Sequence, residues 1–347
     1  FQKRILVARC PVESLILPQS YSSELSLHET QIAIKRIKDF FQLRLAERLN
    51  LLRVSAPLFV DPASGLNDNL SGIERPVSFD IPALGGREGE VVQSLAKWKR
   101  YALGRYDFAI GEGLYTDMNA IRRDEETDNL HSIFVDQWDW ERVIAPEDRT
   151  LATLINHAER IYEVVRKTEG YMDQCYSYIE PILPEKIYTI STQELLDRYP
   201  GLDPKERELA IVREKGAVCL TKIGGALSNG EPHDGRAPDY DDWSLNCDII
   251  VHYPVLDCAL ELTSMGVRVD ARALAVQLEE AGCPERAELA FQKSILAGEL
   301  PQTIGGGIGQ SRLCMLFLRK AHIGEVQSSL WPPEVLERCA EHGITLL

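Results

Sequence analysis

The chain has 347 residues, 44% of them hydrophobic and 26% charged, and carries a formal net charge of −15. That balance describes an ordered globular protein and excludes disordered and fibrous classes. No apolar run approaches the roughly 20 residues of a membrane span, and so acidic a chain does not present the overall basic face of a free-standing nucleic-acid binder.

The opening FQKRILVARCP is too short and too broken to read as a signal peptide. It has no initiator Met, so the natural N-terminus is expected upstream. The first long element is a helix from about Leu27 to Asn50, opened by the capping box Ser26/Glu29. Ile34, Ile37, Phe41 and Leu45 form one stripe, apolar enough to call for a partner. A short strand, LLRVSAPLF, follows. VSFDI alternates, which puts Val77, Phe79 and Ile81 on one face, and LGGREGE reads as a hairpin tip. From Val91 a strand is expected to lead into a helix near Leu95–Leu103. HSIFVDQWDWERV reads as a strand and Thr150–Thr168 as a helix. IYTIS is strand-like, and Ser191/Glu194 caps a helix that ends before Pro200. Pro204 opens another helix, which stops near Gly216. AVCLTKIGG is a strand leading to a polar loop, Leu227–Ser244. CDIIVHY and ALELTSMGVRVD are strands, two helices fall between Ala271 and Leu296, and a glycine-rich turn with a buried helix spans Gly305–Leu318. Strands and helices mixed without regular βαβ alternation predict an α+β fold with a largely antiparallel sheet, organised as one domain over residues 1–347.

The eight cysteines (Cys10, Cys175, Cys219, Cys247, Cys258, Cys283, Cys314, Cys339) never form C-x-x-C, and most lie in apolar runs. They read as reduced core residues, which predicts a reducing, cytoplasmic compartment. The seven histidines show no metal-ligand spacing.

Four clusters could carry chemistry. In GGGIGQSR, glycines allow close backbone approach and the helix start favours anions, with Arg312 one turn in; a packing turn would look the same. In VDQWDWE, Gln137, Asp139 and Glu141 share one strand face, while Asp136, Trp138 and Trp140 share the other. Upstream lies AIRRDEE with Arg122. Asp239, Asp241 and Asp242 cluster in APDYDDWS, ahead of Asp248 and Glu261 on successive strands. Two such carboxylates suit Mg²⁺ shared with ATP phosphates. Lys97, Lys99 and Arg100 cluster on a helix, where basic residues are ordinarily solvated. Asp68 lies in the glycine-flanked loop GLNDNLSG.

The order of these clusters resembles motifs 1, 2 and 3 of class II aminoacyl-tRNA synthetases, nearest the aspartyl and asparaginyl enzymes. QSLAKWK looks like their Q-S-P-Q-L-x-K, matching Lys99. VDQWDWE looks like their F-T-Q-x-D-x-E, and ELTSMGVRV like their E-x-x-x-G-x-x-R-x strand, matching Glu261 and Arg268. Closer still, NDNLSG, SLAKWKR, GEGLYT, VDQWDWERV, QELLDRYP, RAPDYDDWS, PVLDCALELTSMGVRVD and PQTIGGGIGQSRL resemble the ammonia-dependent asparagine synthetase (aspartate–ammonia ligase) family, over about residues 30–335. One departure is that Ser244 joins Leu245 directly, where that family has a glycine-containing loop.

The resemblance implies a class II synthetase-like fold and ATP-dependent amidation of L-aspartate by ammonia, through a β-aspartyl-adenylate, releasing AMP and pyrophosphate. It implies that Arg122 bridges the α-phosphate and the attacking carboxylate, that Arg312, Gly305 and Gly307 hold ATP, and that Asp248 and Glu261 hold Mg²⁺. Lys99 and Arg268 would pin the substrate α-carboxylate. Asp139 and Asp241 are candidates for its ammonium, with Gln137 and Ser264 as hydrogen-bonding neighbours, and Asp68 would receive ammonium; the division of roles among these aspartates stays open. Motif 1 implies a homodimer. Two rival readings are a short aspartyl- or asparaginyl-tRNA synthetase relative and a non-catalytic regulatory module. The first would need an anticodon-binding domain, for which motif 1 begins too early, and would sit badly with the acidic charge. The second should have lost Arg122, Glu261 or Arg312, and all three are present.

Overall fold

In the computed structural model the capping box forms as the sequence predicts. The Ser26 hydroxyl accepts from the Glu29 backbone N–H, and the Glu29 carboxylate accepts from the Ser26 N–H at 2.9 Å. The structure describes residues 14–347 except Ser71, so Cys10 and the opening segment lie outside the described residues. The elements in chain order are α1 (Leu27–Leu49), β1 (Leu51–Arg53), β2 (Phe59–Val60), β3 (Ser78–Ile81), β4 (Arg87–Val91), α2 (Ala96–Arg105), β5 (Gly113–Ile121), β6 (Phe134–Val143), α3 (Leu151–Cys175), β7 (Tyr188–Ser191), α4 (Thr192–Arg198), α5 (Pro204–Lys215), β8 (Ala217–Thr221), β9 (Asp241–Tyr253), β10 (Cys258–Arg268), α6 (Ala271–Glu280), α7 (Ala290–Leu296), β11 (Thr303–Gly309), α8 (Gln310–Leu318) and α9 (Pro333–Glu341).

Eight strands form one sheet in the order β1-β5-β6-β11-β10-β9-β8-β7, and β2-β4-β3 form a small second sheet. The inner pairings of the large sheet are antiparallel; only the outermost pairs, β1/β5 and β7/β8, are parallel. The α+β expectation with a mostly antiparallel sheet is borne out.

Alternation divides the sheet into two faces. Trp138 and Trp140 point into the main core with Phe41, Ile249, Met265, Ile304 and Phe317. There the stripe of α1 packs inside its own chain, Phe41 stacking on Trp138 with ring centroids 4.7 Å apart. The stripe therefore does not by itself call for a second chain. The opposite face carries a ladder row that crosses five strands: Thr116 pairs with Asp139, Asp139 with Gly307, Gly307 with Ser264, and Ser264 with Asp248. A register shift between Glu261 and Thr263 resets the alternation of β10. Such an irregularity brings Glu261 to the face of Ser264 in spite of their odd spacing.

Several expectations are corrected. Gly305 and its neighbours form strand β11 rather than a turn, because β6 and β10 supply ladder bonds on both sides. A Cβ at Gly305 would lie 1.9 Å from the Glu141 carboxylate, and one at Gly306 2.5 Å from the Ser264 carbonyl. The segment Gly113–Ile121, not assigned from sequence, is β5. LLRVSAPLF splits into β1 and β2, the polar loop ends at Asp241, and Ser244–Leu245 runs inside β9. Helix α3 continues to Cys175. Val77, Phe79 and Ile81 meet no main core: Phe79 is exposed and packs edge-on to Phe59. Lys97, Lys99 and Arg100 are buried, not solvated.

Candidate active site

The polar face of the sheet forms the floor of one cavity, closed by α2, the Asp68 loop and the segment before β9. At its buried end, Arg268 donates from Nε and Nη2 to Glu141, at 2.9 and 2.6 Å, and from Nη1 to Asp241. Thr303 also donates to Glu141, at 2.7 Å. Lys99 donates to the Gly306 carbonyl at 2.8 Å and lies 3.2 Å from Asp139 Oδ2. Burial lowers the Lys99 pKa, opposed by Asp139 and Glu141. Burial also raises that of Asp241, against the pull of Arg268. Asp139 Oδ1 is buried and has no hydrogen-bond partner among the described residues. Gly307 leaves that oxygen room: a Cβ there would lie 2.5 Å from Gln137 Oε1 and 2.9 Å from Asp139 Oδ1. Asp68 enters from the side, accepting from Ser94 Oγ at 2.6 Å and from the Leu70 N–H at 2.8 Å.

The other end is more open. Arg122, just past the end of β5, lies 3.7 Å from Glu125, and its Nε has no partner. Arg312, in the first turn of α8, donates to the Glu261 carbonyl at 3.2 Å and stands 3.9 Å from the Glu261 carboxylate. Asp136 anchors the start of α8, accepting from the Ser311 N–H and from Gln327, both at 3.1 Å. Asp248 pairs with Arg236, while its Oδ1 is buried with no hydrogen-bond partner among the described residues. Burial, together with neighbouring Glu261, pushes the Asp248 carboxyl up to about 7 against the pull of Arg236.

A family model described as aspartate-ammonia ligase matches residues 28–343. The chain is 57% identical to the aspartate–ammonia ligase of Ruminiclostridium cellulolyticum over 336 residues, 97% of this chain and 100% of that protein. It is 58% identical to that of Clostridium perfringens strain SM101, with the same coverage of both chains. The chain belongs to the aspartate–ammonia ligase family. The family is one of ATP-dependent ligases that form asparagine from aspartate and ammonia. In fold the ligase is similar to class II synthetases. Asparaginyl-tRNA synthetase of Entamoeba histolytica, in complex with asparaginyl-adenylate, superposes with a TM-score of 0.62 at 12% identity, over 87% of this chain and 66% of that one. The Pyrococcus horikoshii asparaginyl enzyme, also with asparaginyl-adenylate, gives 0.61 at 15%, over 88% and 70%.

Of the residues singled out from sequence, Asp68, Lys99, Arg122, Gln137, Asp139, Asp241, Glu261, Ser264, Arg268, Gly307 and Arg312 line this one cavity of the ligase. Gly305 lies beneath Glu141, and Asp248 stands behind Arg236. Sequence reasoning missed Arg236, Ser94 and Tyr240, which also line it. It also assigned Glu141 no role, although its place two residues beyond Asp139 was a usable signal. Arg236 opens the family-like stretch RAPDYDDWS, but a lone arginine in a polar loop reads as solvated and was given no role.

Proposed function

We propose that the ligase activates the β-carboxylate of L-aspartate as a β-aspartyl-adenylate, which ammonia then converts to L-asparagine, within a single catalytic domain. A carboxylate is a poor acyl donor because its leaving group would be oxide. In the first step a β-carboxylate oxygen attacks the α-phosphorus of ATP and the bond to pyrophosphate breaks. Arg122 neutralises charge at that phosphorus, and Arg312 holds the nucleotide. In the second step ammonia attacks the acyl carbon, the bond to AMP breaks, and a proton passes to a carboxylate, for which Asp68 is the candidate.

The observation that carries this reading is the buried end of the cavity. Asp139 offers its unpartnered Oδ1 as an acceptor for the substrate ammonium, while its Oδ2 lies 3.2 Å from the Lys99 ammonium. Lys99 and the two N–H groups that Arg268 leaves free offer donors for the α-carboxylate. A zwitterion held so directs its β-carboxylate away from the paired charges, toward Arg122. Asp241, with Gln137 and Ser264, completes the wall.

Asp248 and Glu261 fit Mg²⁺, which takes one or two carboxylates plus phosphate oxygens; the unpartnered Oδ1 of Asp248 supports this. When bound, the ion neutralises charge on the departing pyrophosphate. We read the protein as a cytoplasmic homodimer. The seven described cysteines are free thiols. Ile32 and Leu43, on one side of α1, and Leu52 on β1 remain exposed, so the outer side of α1 and the β1 edge are the faces to be covered. Light scattering that finds a stable monomer at micromolar concentration rejects the dimer.

Ammonia rather than glutamine is the acceptor. A glutaminase centre needs an activated cysteine, whereas burial raises the Cys314 thiol to about 12 and those of Cys258 and Cys339 to about 11. The test follows labelled pyrophosphate into ATP with and without aspartate, and asparagine formation with ammonium chloride, glutamine or tRNA as sole acceptor. Aspartate-dependent exchange and AMP release are expected. At fixed total ammonia the second step should quicken as pH rises toward the pKa of ammonium. Release of ADP, or equal turnover with glutamine in ammonia-free buffer, overturns the reading.

A further inference from the structure

The open end of the cavity contains a cation that the two-step scheme above does not use. Arg236 lies between β8 and β9, next to Gly235, and its side chain is largely buried. Its Nη2 is ion-paired with Asp248 Oδ2, and its Nε is buried with no hydrogen-bond partner among the described residues. Glu261, on the neighbouring strand, lines the same cavity as Arg236 and stands 3.9 Å from Arg312. Asp248 is nearly buried and Glu261 half-buried, and the arginines of their own chain supply the countercharge. Arg236 thus occupies the place of a countercharge to these carboxylates while no ligand is present.

We propose that Arg236 is an exchangeable cation, which neutralises Asp248 and Glu261 in the nucleotide-free enzyme and cedes that place to a divalent metal ion when ATP enters. The inference rests on the reading of Asp248 and Glu261 as metal ligands. A guanidinium does not deprotonate in a protein, so Arg236 must move rather than lose its charge. The same cavity holds Arg122 and Arg312. A displaced guanidinium therefore stays beside the terminal phosphates, where its five donors suit phosphate oxygens. The arrangement couples metal and nucleotide: the ion is disfavoured alone and favoured once phosphates offer Arg236 a new partner.

The test measures Mn²⁺ binding by paramagnetic resonance of the free ion, on the full-length protein without nucleotide. Removal of a competing unit charge at ion-pair distance should tighten Mn²⁺ on the order of tenfold in Arg236→Ala, while ATP affinity in the presence of Mn²⁺ falls. Arg236→Lys keeps the charge and should keep Mn²⁺ weak, and it controls for misfolding of the alanine variant. Adding Asp248→Asn to Arg236→Ala should abolish the gain. A merely structural arginine has no reason to tighten metal binding when removed. If Arg236→Ala leaves nucleotide-free Mn²⁺ affinity unchanged, while Asp248→Asn alone releases Mn²⁺ from the enzyme–ATP complex, the exchange is overturned and the metal reading stands. If Asp248→Asn leaves that complex intact, the metal reading fails and the exchange falls with it.

Discussion

The two ends of the cavity are built from the same residue types and behave as opposites. At the buried end, Lys99, Asp139, Glu141, Asp241 and Arg268 have side chains at most 3% exposed and are joined by short bonds. At the open end, apart from the largely buried Arg236–Asp248 pair, Arg122 and Glu125 are each 24% exposed, and Arg312 and Glu261 are 22% and 39% exposed, with ion-pair separations of 3.7 and 3.9 Å. Buried charges are costly unless fully paired, so a network of this kind is set before substrate arrives and offers one arrangement of donors and acceptors. Half-exposed pairs at long range are weak and exchange partners cheaply. The difference matches the tasks: selecting one small amino acid calls for fixed geometry, whereas a leaving pyrophosphate needs cations that can follow it.

The contrast breaks most visibly at Glu141. Glu141→Ala leaves the Arg268 guanidinium buried with only Asp241 as an ionic partner, and such a loss costs about 3–5 kcal/mol. Chemical denaturation should show it; a loss below about 1 kcal/mol would mean that the buried end tolerates a missing partner. The open end should respond in the opposite way. Arg122→Ala is expected to lower turnover about 100- to 1000-fold with an unchanged melting temperature, and a folded variant at near wild-type rate removes Arg122 from the chemistry.

Acid offers a third probe, acting on two histidines of the support and, in the opposite sense, on Asp248, whose raised value of about 7 means it gains its proton in the folded state over the same range. His157 donates from Nδ1 to the Thr153 carbonyl at 2.8 Å and accepts from Arg142 at Nε2, at 3.1 Å, so a second proton would face a guanidinium. His322 accepts the Gly324 N–H at Nδ1 and keeps Nε2 buried without a partner, beside Ile323 and Gln327 of the cavity wall. Burial lowers both to about 4. With folded values below the unfolded one of about 6.5, the unfolded chain binds more protons between them. Stability is thus fully present above that unfolded value and falls toward pH 4, by up to about 3 kcal/mol per histidine. Denaturation midpoints of wild type and His322→Gln across that range should differ by the His322 share, the wild type losing more stability toward pH 4; identical slopes in the two proteins remove His322 from the effect.

The smallest effect sharpens the comparison without breaking it. In Gly307→Ala the new methyl crowds Gln137 and Asp139 and leaves Arg122 and Arg312 untouched. Overpacking of that order should raise KM for aspartate about tenfold while KM for ATP holds. Equal changes in both constants would mean that the two ends are not separable.

Signals confined to a few residues were sufficient to determine a good part of this protein. The capping boxes at Ser26/Glu29 and Ser191/Glu194 form as the sequence predicts, and the alternation of β6 correctly separates Gln137, Asp139 and Glu141 from Trp138 and Trp140. The family motifs gathered most of the cavity lining in advance. The tertiary structure decided everything that depends on a distant partner. Glycines have little intrinsic strand preference, and β11 is a strand because flanking strands supply its bonds and the Glu141 carboxylate leaves no room for a side chain at Gly305. Lys97 is buried because Asp239, 142 residues away, waits at 2.7 Å. Arg268 is shaped by Glu141, 127 residues away, and Arg236 meets Asp248, 12 residues further along in β9. A local pattern reports which face a side chain takes, but whether a charge on that face meets water or a counter-charge is set by chain segments that no short window contains.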